Sequence, residues 1–322
     1  MKLCHFASSQ AICILTTIRS PRIAHTFLQE LKDLFVQILL LAQEAGVLKL
    51  GTISLDGTKV HADASKRKAV SYKRLLELEI QLRTEVEELF TRAEQSEQPE
   101  VSDGLVVHEE IARRQDRLRR LAQAKAVLET RAAARAAVEQ AEYETKMTER
   151  AEKERKSGRR LGGRPPAPPM PGPHEGDQYN FTDPESRIMK DGATKGFVQA
   201  YNAQAAVDGA AQIIVAVAVT QAANDKQQLV PLLTQVATNC GATPAVVSAD
   251  SGYFSAANVT APALAGIDLY VAVARQPHGE APAPVPGPAD GTAIATMRAK
   301  LQTAVGHAVY AVRKAIVEPV FG

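Results

Sequence analysis

Three acidic residues stand where they could do chemistry. Asp56 follows the apolar run that ends in Leu55 and precedes Gly57; Asp250 follows Ala249 and precedes Ser251 and Gly252. In an open α/β sheet, groups at strand ends converge in a shared crevice. Two carboxylates held close repel one another and need a cation between them, and hard oxygen ligands suit Mg²⁺ or Mn²⁺. A third carboxylate would complete a two-metal site, in which one ion activates a nucleophilic oxygen and the other stabilises the leaving oxygen. Glu318, late in the last helical stretch, is the candidate by position. The rival reading makes each Asp a turn-former, a role that Asp-Gly fills often. Pattern alone leaves both open.

The elements around these residues read as α/β. Leu48, Leu50, Ile53 and Leu55 predict a strand that meets a turn at Asp56-Gly57-Thr58. Residues 197–207 and 212–220 predict two strands joined by a turn at Asp208-Gly209. A helix over 226–239, a strand over 245–249 ending at Asp250, a helix over 256–264 and a strand over 267–273 follow, with a last helix over 297–320. This series predicts a mixed sheet. A helix over 27–45, ending near Gly46, precedes it.

The segment 65–157 differs in kind. Leu75, Leu78, Leu82, Val86 and Leu89 recur at three- and four-residue steps, and Ile111, Leu118, Leu121 and Leu128 resume the spacing after a polar break at 96–104. Two long helices with one apolar seam each predict an antiparallel hairpin of coiled-coil character. Residues 157–177 are rich in Pro, Gly and Arg and read as an extended, mobile linker. Residues 277–290 form a second proline-rich stretch.

Of 322 residues, 45% are hydrophobic, and 38 Lys+Arg against 36 Asp+Glu leave a net charge of +2. That balance excludes a uniformly basic coat protein, so any nucleic-acid surface must be local. With 5% aromatics and no Trp, a base-stacking platform is not expected. Cys4, Cys13 and Cys240 show no CxxC spacing, which suggests neither a disulfide framework nor a structural zinc site and fits a reducing, cytoplasmic compartment. No apolar run reaches the ~18 residues of a membrane span. His61, His174 and His278 lack partners at metal-ligand spacing; Asp225 reads as a helix N-cap and Asp183 as a turn residue.

The segments SLDGTKV at 54–60, NFTDPESR at 180–187, GFVQAYNAQAAVD at 196–208, ADSGY at 249–253 and RKAIVEPVFG at 313–322 together resemble a bacterial insertion-sequence transposase of the DDE type. The closest group is the IS-four/IS-five-like superfamily, in the subgroup with a helical insertion after the first catalytic Asp. The resemblance implies an RNase H-like mixed sheet with an inserted helical hairpin, and Asp56, Asp250 and Glu318 as the catalytic triad holding two Mg²⁺ or Mn²⁺ ions. It implies cleavage of a phosphodiester at the transposon end, followed by attack of the freed 3′-hydroxyl on target DNA. Tyr310 and Arg313 resemble the Tyr and Arg of the family's Tyr/Arg/Glu/Lys signature. The spacing is one residue looser, so Lys314 is an alternative to Arg313. Either cation, with Tyr310, would contact a DNA phosphate, and Lys59 would do so or balance the acidic site.

The implied organisation is a remnant of an N-terminal helical DNA-binding region at 1–45, the first core strand at 46–66, the hairpin at 67–156, the linker at 157–179 and the rest of the catalytic core at 180–322. Implied partners are double-stranded DNA, as transposon ends and target, and further copies of the chain in a synaptic homo-oligomer. The signature's Lys and the closing helices have no counterpart before Gly322, so the expectation is a chain shortened at both ends. A rival expectation is therefore an inactive fragment that still binds DNA or a longer transposase. A third is a helical interaction protein working through 65–157.

Overall fold

The structure is a computed structural model and describes residues 26–95, 100–101, 105–192, 194–274 and 292–321. The expected N-terminal region before residue 26, most of the polar break at 96–104 and the proline-rich loop at 277–290 lie outside them. In chain order the elements are helix α1 (Leu28–Glu44), strands β1 (Thr52–His61) and β2 (Ala69–Ser71), helix α2 (Tyr72–Gln95), the short strands β3 (Glu100–Val101) and β4 (Leu105–Val106), and helix α3 (Val107–Ser157). Strands β5 (Gln178–Asn180), β6 (Arg187–Lys190), β7 (Phe197–Asp208) and β8 (Ile214–Thr220) follow, then helix α4 (Leu229–Cys240), strand β9 (Val246–Ala249), helix α5 (Ala256–Val259) and strand β10 (Asp268–Val271). Helices α6 (Ala293–Gln302), α7 (Ala304–Ala311) and α8 (Arg313–Val317) end the series.

The chain divides into two compact units. One comprises Met1–His61, Met189–Gly196 and Ala200–Gly322. Its sheet runs β10-β9-β1-β7, and both β6 and β8 pair with β7. β7 is antiparallel to β1 and to β8, while β9 is parallel to β1 and to β10. An antiparallel meander followed by parallel strands, with a helical hairpin inserted between β1 and β7, is the RNase H-like arrangement that the sequence led us to expect. On one face of the sheet, Leu229, Leu232, Leu233 and Val236 of α4 share a core with Ile53, Leu55, Ala206, Val215 and Val247. Each large side chain so buried contributes roughly 1.5–3 kcal/mol.

Three expectations about the elements of this unit need correction. β1 does not turn at Asp56-Gly57-Thr58 but runs through it, with Asp56 opposite Ala205 and Gly57 opposite Gln204 in the ladder with β7. Gly57 is there for space, since a Cβ would overlap the side-chain amide of Gln204. The helix expected over 256–264 stops at Val259, and Pro262, which lacks an N–H, opens a separate 3₁₀ turn. The single last helix is three helices. Thr303 adopts an extended backbone (φ −64°, ψ 155°) and caps α7, its Oγ1 accepting the Gly306 N–H at 3.0 Å.

The hairpin at Asp208-Gly209 forms as expected. Asp208 accepts the N–H groups of Ala210 and Ala211 at 3.0 and 3.1 Å, and Gln212 takes the left-handed conformation (φ 54°). This corner seats on α8: a Cβ on Gly209 would lie 3.0 Å from Ile316, and the Gln212 side chain donates to the Ala315 carbonyl at 2.7 Å.

The other unit is Ala62–Ile188 with Phe197–Gln199. Its helices α2 and α3 are antiparallel, with Leu75 and Leu82 packed on Leu121, Ala124 and Leu128, and Leu89 on Val107 and Ile111. Arg114 to Glu85 at 2.9 Å and Lys125 to Glu79 at 3.2 Å cross between them. The segment expected to be a free linker is tied along α3. Arg135 holds Asp177 through two bonds of 3.0 and 2.9 Å, and Arg150 donates to the Leu161 carbonyl at 2.6 Å. Asp183 is a turn residue as expected, its Oδ1 accepting the N–H groups of Glu185 and Ser186.

Candidate active site

The register of the parallel strands sets the site. β9 pairs with β1 from Thr52↔Val246 to Leu55↔Ala249, so Asp56 and Asp250 each follow the last paired residue of neighbouring strands. Side chains alternate along a strand, so Ser54 and Asp56 share one face. On that face the hydroxyls of Ser54 and Ser248 meet at 2.8 Å, fully buried. Asp250 then caps the 3₁₀ turn Ser251–Tyr253, its Oδ1 accepting the Gly252 N–H at 2.9 Å.

Helix α8 covers this face. Ile316 and Val317 pack on Ala205 and Val207, which aims Arg313, the first residue of α8, at Asp56. Arg313 Nη1 donates to Asp56 Oδ2 at 3.0 Å, while Asp56 Oδ1 accepts the Gly57 N–H at 2.8 Å. Arg313 is 6% exposed, and its buried Nε has no hydrogen-bond partner. The Tyr310 ring lies 5.8 Å from the guanidinium. Lys314, the alternative to Arg313, points outward and pairs with Glu318 at 3.7 Å, both side chains being more than half exposed.

Electrostatics couple the two aspartates. Burial pushes the Asp250 carboxyl above the ordinary carboxylate range, and the charge of Asp56 pushes it further; the Gly252 N–H and Arg313 oppose both. Lys59 is lowered by burial, against the attraction of Asp225, and donates to the Ala223 carbonyl at 3.1 Å.

Asp225 is not the N-cap the sequence suggested, since Gln228 holds that position on α4. Its Oδ1 accepts the side-chain amides of Asn202 and Gln204, both at 2.7 Å. Its Oδ2 faces Asp250 across Gly252, where a Cβ would lie 2.8 Å from Asp225 Oδ2 and 3.0 Å from Asp250 Oδ1. The Tyr253 hydroxyl, fully buried, donates to the amide oxygen of Gln204. Sequence reasoning assigned no role to Asn202 or Gln204. The available signal was two amides two residues apart in one strand, hence on one face. Among the described residues no hydrogen bond or ion pair joins Glu318 to Asp56 or Asp250, and no group of three His, Cys, Asp or Glu side chains is arranged around a metal position.

Residues 167–322 match the family model of the transposase DDE domain. This part of the chain is similar to a transposase DDE domain. No curated protein and no solved structure matches the chain. The matched residues include Asp250, Arg313 and Glu318. Asp56 precedes them, and the pairing of β1 with β7 and β9 brings it into the same sheet. DDE transposases generally use divalent metal ions, and a transposase domain acts on DNA. Among the described residues no helix is long and apolar enough to cross a membrane.

Proposed function

We propose that the chain is a DNA transposase that cuts a phosphodiester at the end of an insertion sequence and joins the freed 3′-hydroxyl to target DNA. One observation carries this reading: Asp56 and Asp250 lie side by side beyond the paired ends of β1 and β9, close enough for one charge to disfavour the other. Two hard oxygen donors that repel fit a divalent cation, Mg²⁺ or Mn²⁺. Asp56 and Asp250 would hold it, with Glu318 as the third carboxylate of a two-metal donor set. When bound, such ions polarise the phosphodiester and lower the pKa of water.

The chain's own residues then have distinct tasks. Arg313 neutralises Asp56 in the buried crevice and keeps its carboxylate oriented. The Asp225–Asn202–Gln204–Tyr253 network fixes the loop that carries Asp250. Tyr310 beside Arg313, Lys59 near Asp225 and Lys314 beside Glu318 would serve as contacts for phosphate. Glu318 gives up little by leaving Lys314, because an exposed pair of this kind is worth under ~1 kcal/mol. Transposition joins two element ends, so the working form on this reading is a homo-oligomer on duplex DNA.

The test is cleavage of a duplex bearing the cognate ends, in Mg²⁺, by wild type, Asp56→Ala and Asp250→Ala. Loss in both variants supports the mechanism, and cutting that persists in both removes it. A second reading is favoured by the Arg313–Asp56 pair and by Glu318 turned towards Lys314: an inactive module that binds DNA or a longer transposase. Duplex binding without nicking, even in Mn²⁺, would select it.

A further inference from the structure

The unit that carries the helical hairpin holds a cleft of about 800 Å³. Its cationic lining is Arg67, Lys68 and Arg74 on one side and Arg113, Arg117 and Arg120 of α3 on the other, against a single carboxylate, Asp116. Half of these cations are committed: Arg74 pairs with Glu77, Arg113 with Glu109 and Glu110, and Arg120 with Asp116. Among the described residues Arg67, Lys68 and Arg117 make no salt bridge, and all three are exposed. The floor is the hairpin's own core, with Val70 and Leu121 buried beneath the charges.

We infer that this cleft binds the phosphate backbone of duplex DNA, a contact separate from the Asp56/Asp250 site. The inference rests on the reading that the chain acts on DNA. Three features favour this occupant. Arg113, Arg117 and Arg120 stand at i, i+4 and i+7 on one helix face, a stripe of roughly 10 Å at 1.5 Å per residue. Charges along one DNA strand recur every ~3.4 Å, so the stripe spans about three phosphates. The guanidinium fork matches phosphate oxygens bidentately. The nearby aromatics, Tyr179 and Phe181, pack edge-to-face on one another at 5.3 Å. They are spent on that contact rather than presented as a platform for unstacked bases, which points to a duplex.

The test uses the full chain and measures its affinity for duplex DNA of arbitrary sequence across a salt titration. Replacing Arg67, Lys68 and Arg117 together by Gln should reduce the slope of log K against log salt by about 2–3, at roughly 0.9 per lost phosphate contact, equally for every sequence. Restoring the charges as Lys at 67 and 117 should recover most of the slope. These side chains are exposed, so unchanged circular dichroism is expected and certifies the comparison. Wild type that binds duplex DNA while the folded triple variant keeps the same slope overturns the cleft and spares the transposase reading. Wild type that binds no duplex DNA overturns both. A polyglutamate peptide bound through these three residues, with the DNA slope unaffected, overturns the inference in favour of an acidic protein partner.

Discussion

Asp250 is a carboxylate held where charge is unwelcome, and that has a measurable consequence. Burial and the neighbouring Asp56 raise its pKa above the ordinary 3.8. The folded state therefore holds this proton more tightly than the unfolded chain does, and the stability the group contributes falls as pH rises above that ordinary value. Asp250→Asn should raise the melting temperature of the metal-free protein at pH 7 and flatten its decline between pH 4 and 7. A variant that melts lower than wild type at pH 7 would show that the carboxylate is not strained there. Arg313 is the opposite case. Removing it leaves Asp56 and Asp250 without their cation, and losing one partner of a buried pair costs about 3–5 kcal/mol. Urea unfolding of Arg313→Gln should show a loss of that order. Adding Asp56→Asn to Arg313→Gln should recover part of it, and strict additivity of the two changes would argue against direct coupling.

At the level of elements, the site depends on how the last helices are broken. α8 follows a corner between α6 and α7, where a Cβ on Gly306 would overlap the Lys300 carbonyl. The obstacle is backbone, which cannot swing aside as a side chain could. Gly306→Ala should destabilise by about 1–3 kcal/mol through overpacking. If the corner is what aims α8, the same change should also weaken the Arg313–Asp56 coupling measured above. The hairpin rests on a different element pair, the seam of α2 and α3. Leu121→Ala there should cost about 2–5 kcal/mol, read as a lowered denaturation midpoint of the helical signal.

For the molecule as a whole, the proposed divalent-metal site would link the carboxylates to global stability. A ligand that binds only the folded state stabilises by RT ln(1 + [L]/Kd). Mg²⁺ or Mn²⁺ should therefore raise the melting temperature of wild type, chelation by EDTA should reverse the rise, and the double variant Asp56→Ala/Asp250→Ala should respond to neither. An equal rise in that double variant would place the metal elsewhere.

How much of this was legible in the sequence follows from the range of the forces involved. Local periodicity determined the helices of the hairpin, because each apolar seam is written at three- and four-residue steps along one segment. It also determined the mixed sheet, because apolar strands such as 245–249 and turn residues such as Asp208-Gly209 are local signals. What turned on contacts across the chain was decided only in three dimensions. Asp56-Gly57 reads as a turn until β7 is laid beside it and Gln204 fills the space a side chain would need. Asp225 reads as a cap until Asn202 and Gln204, more than twenty residues earlier, bring their amides to it. Arg313 could be told from Lys314 only by which of the two the packing of Ile316 and Val317 turned inward. Alternation along a strand or helix is fixed by neighbouring peptide units, whereas the partner of a buried charge is fixed by whichever distant segment the core brings within about 3 Å.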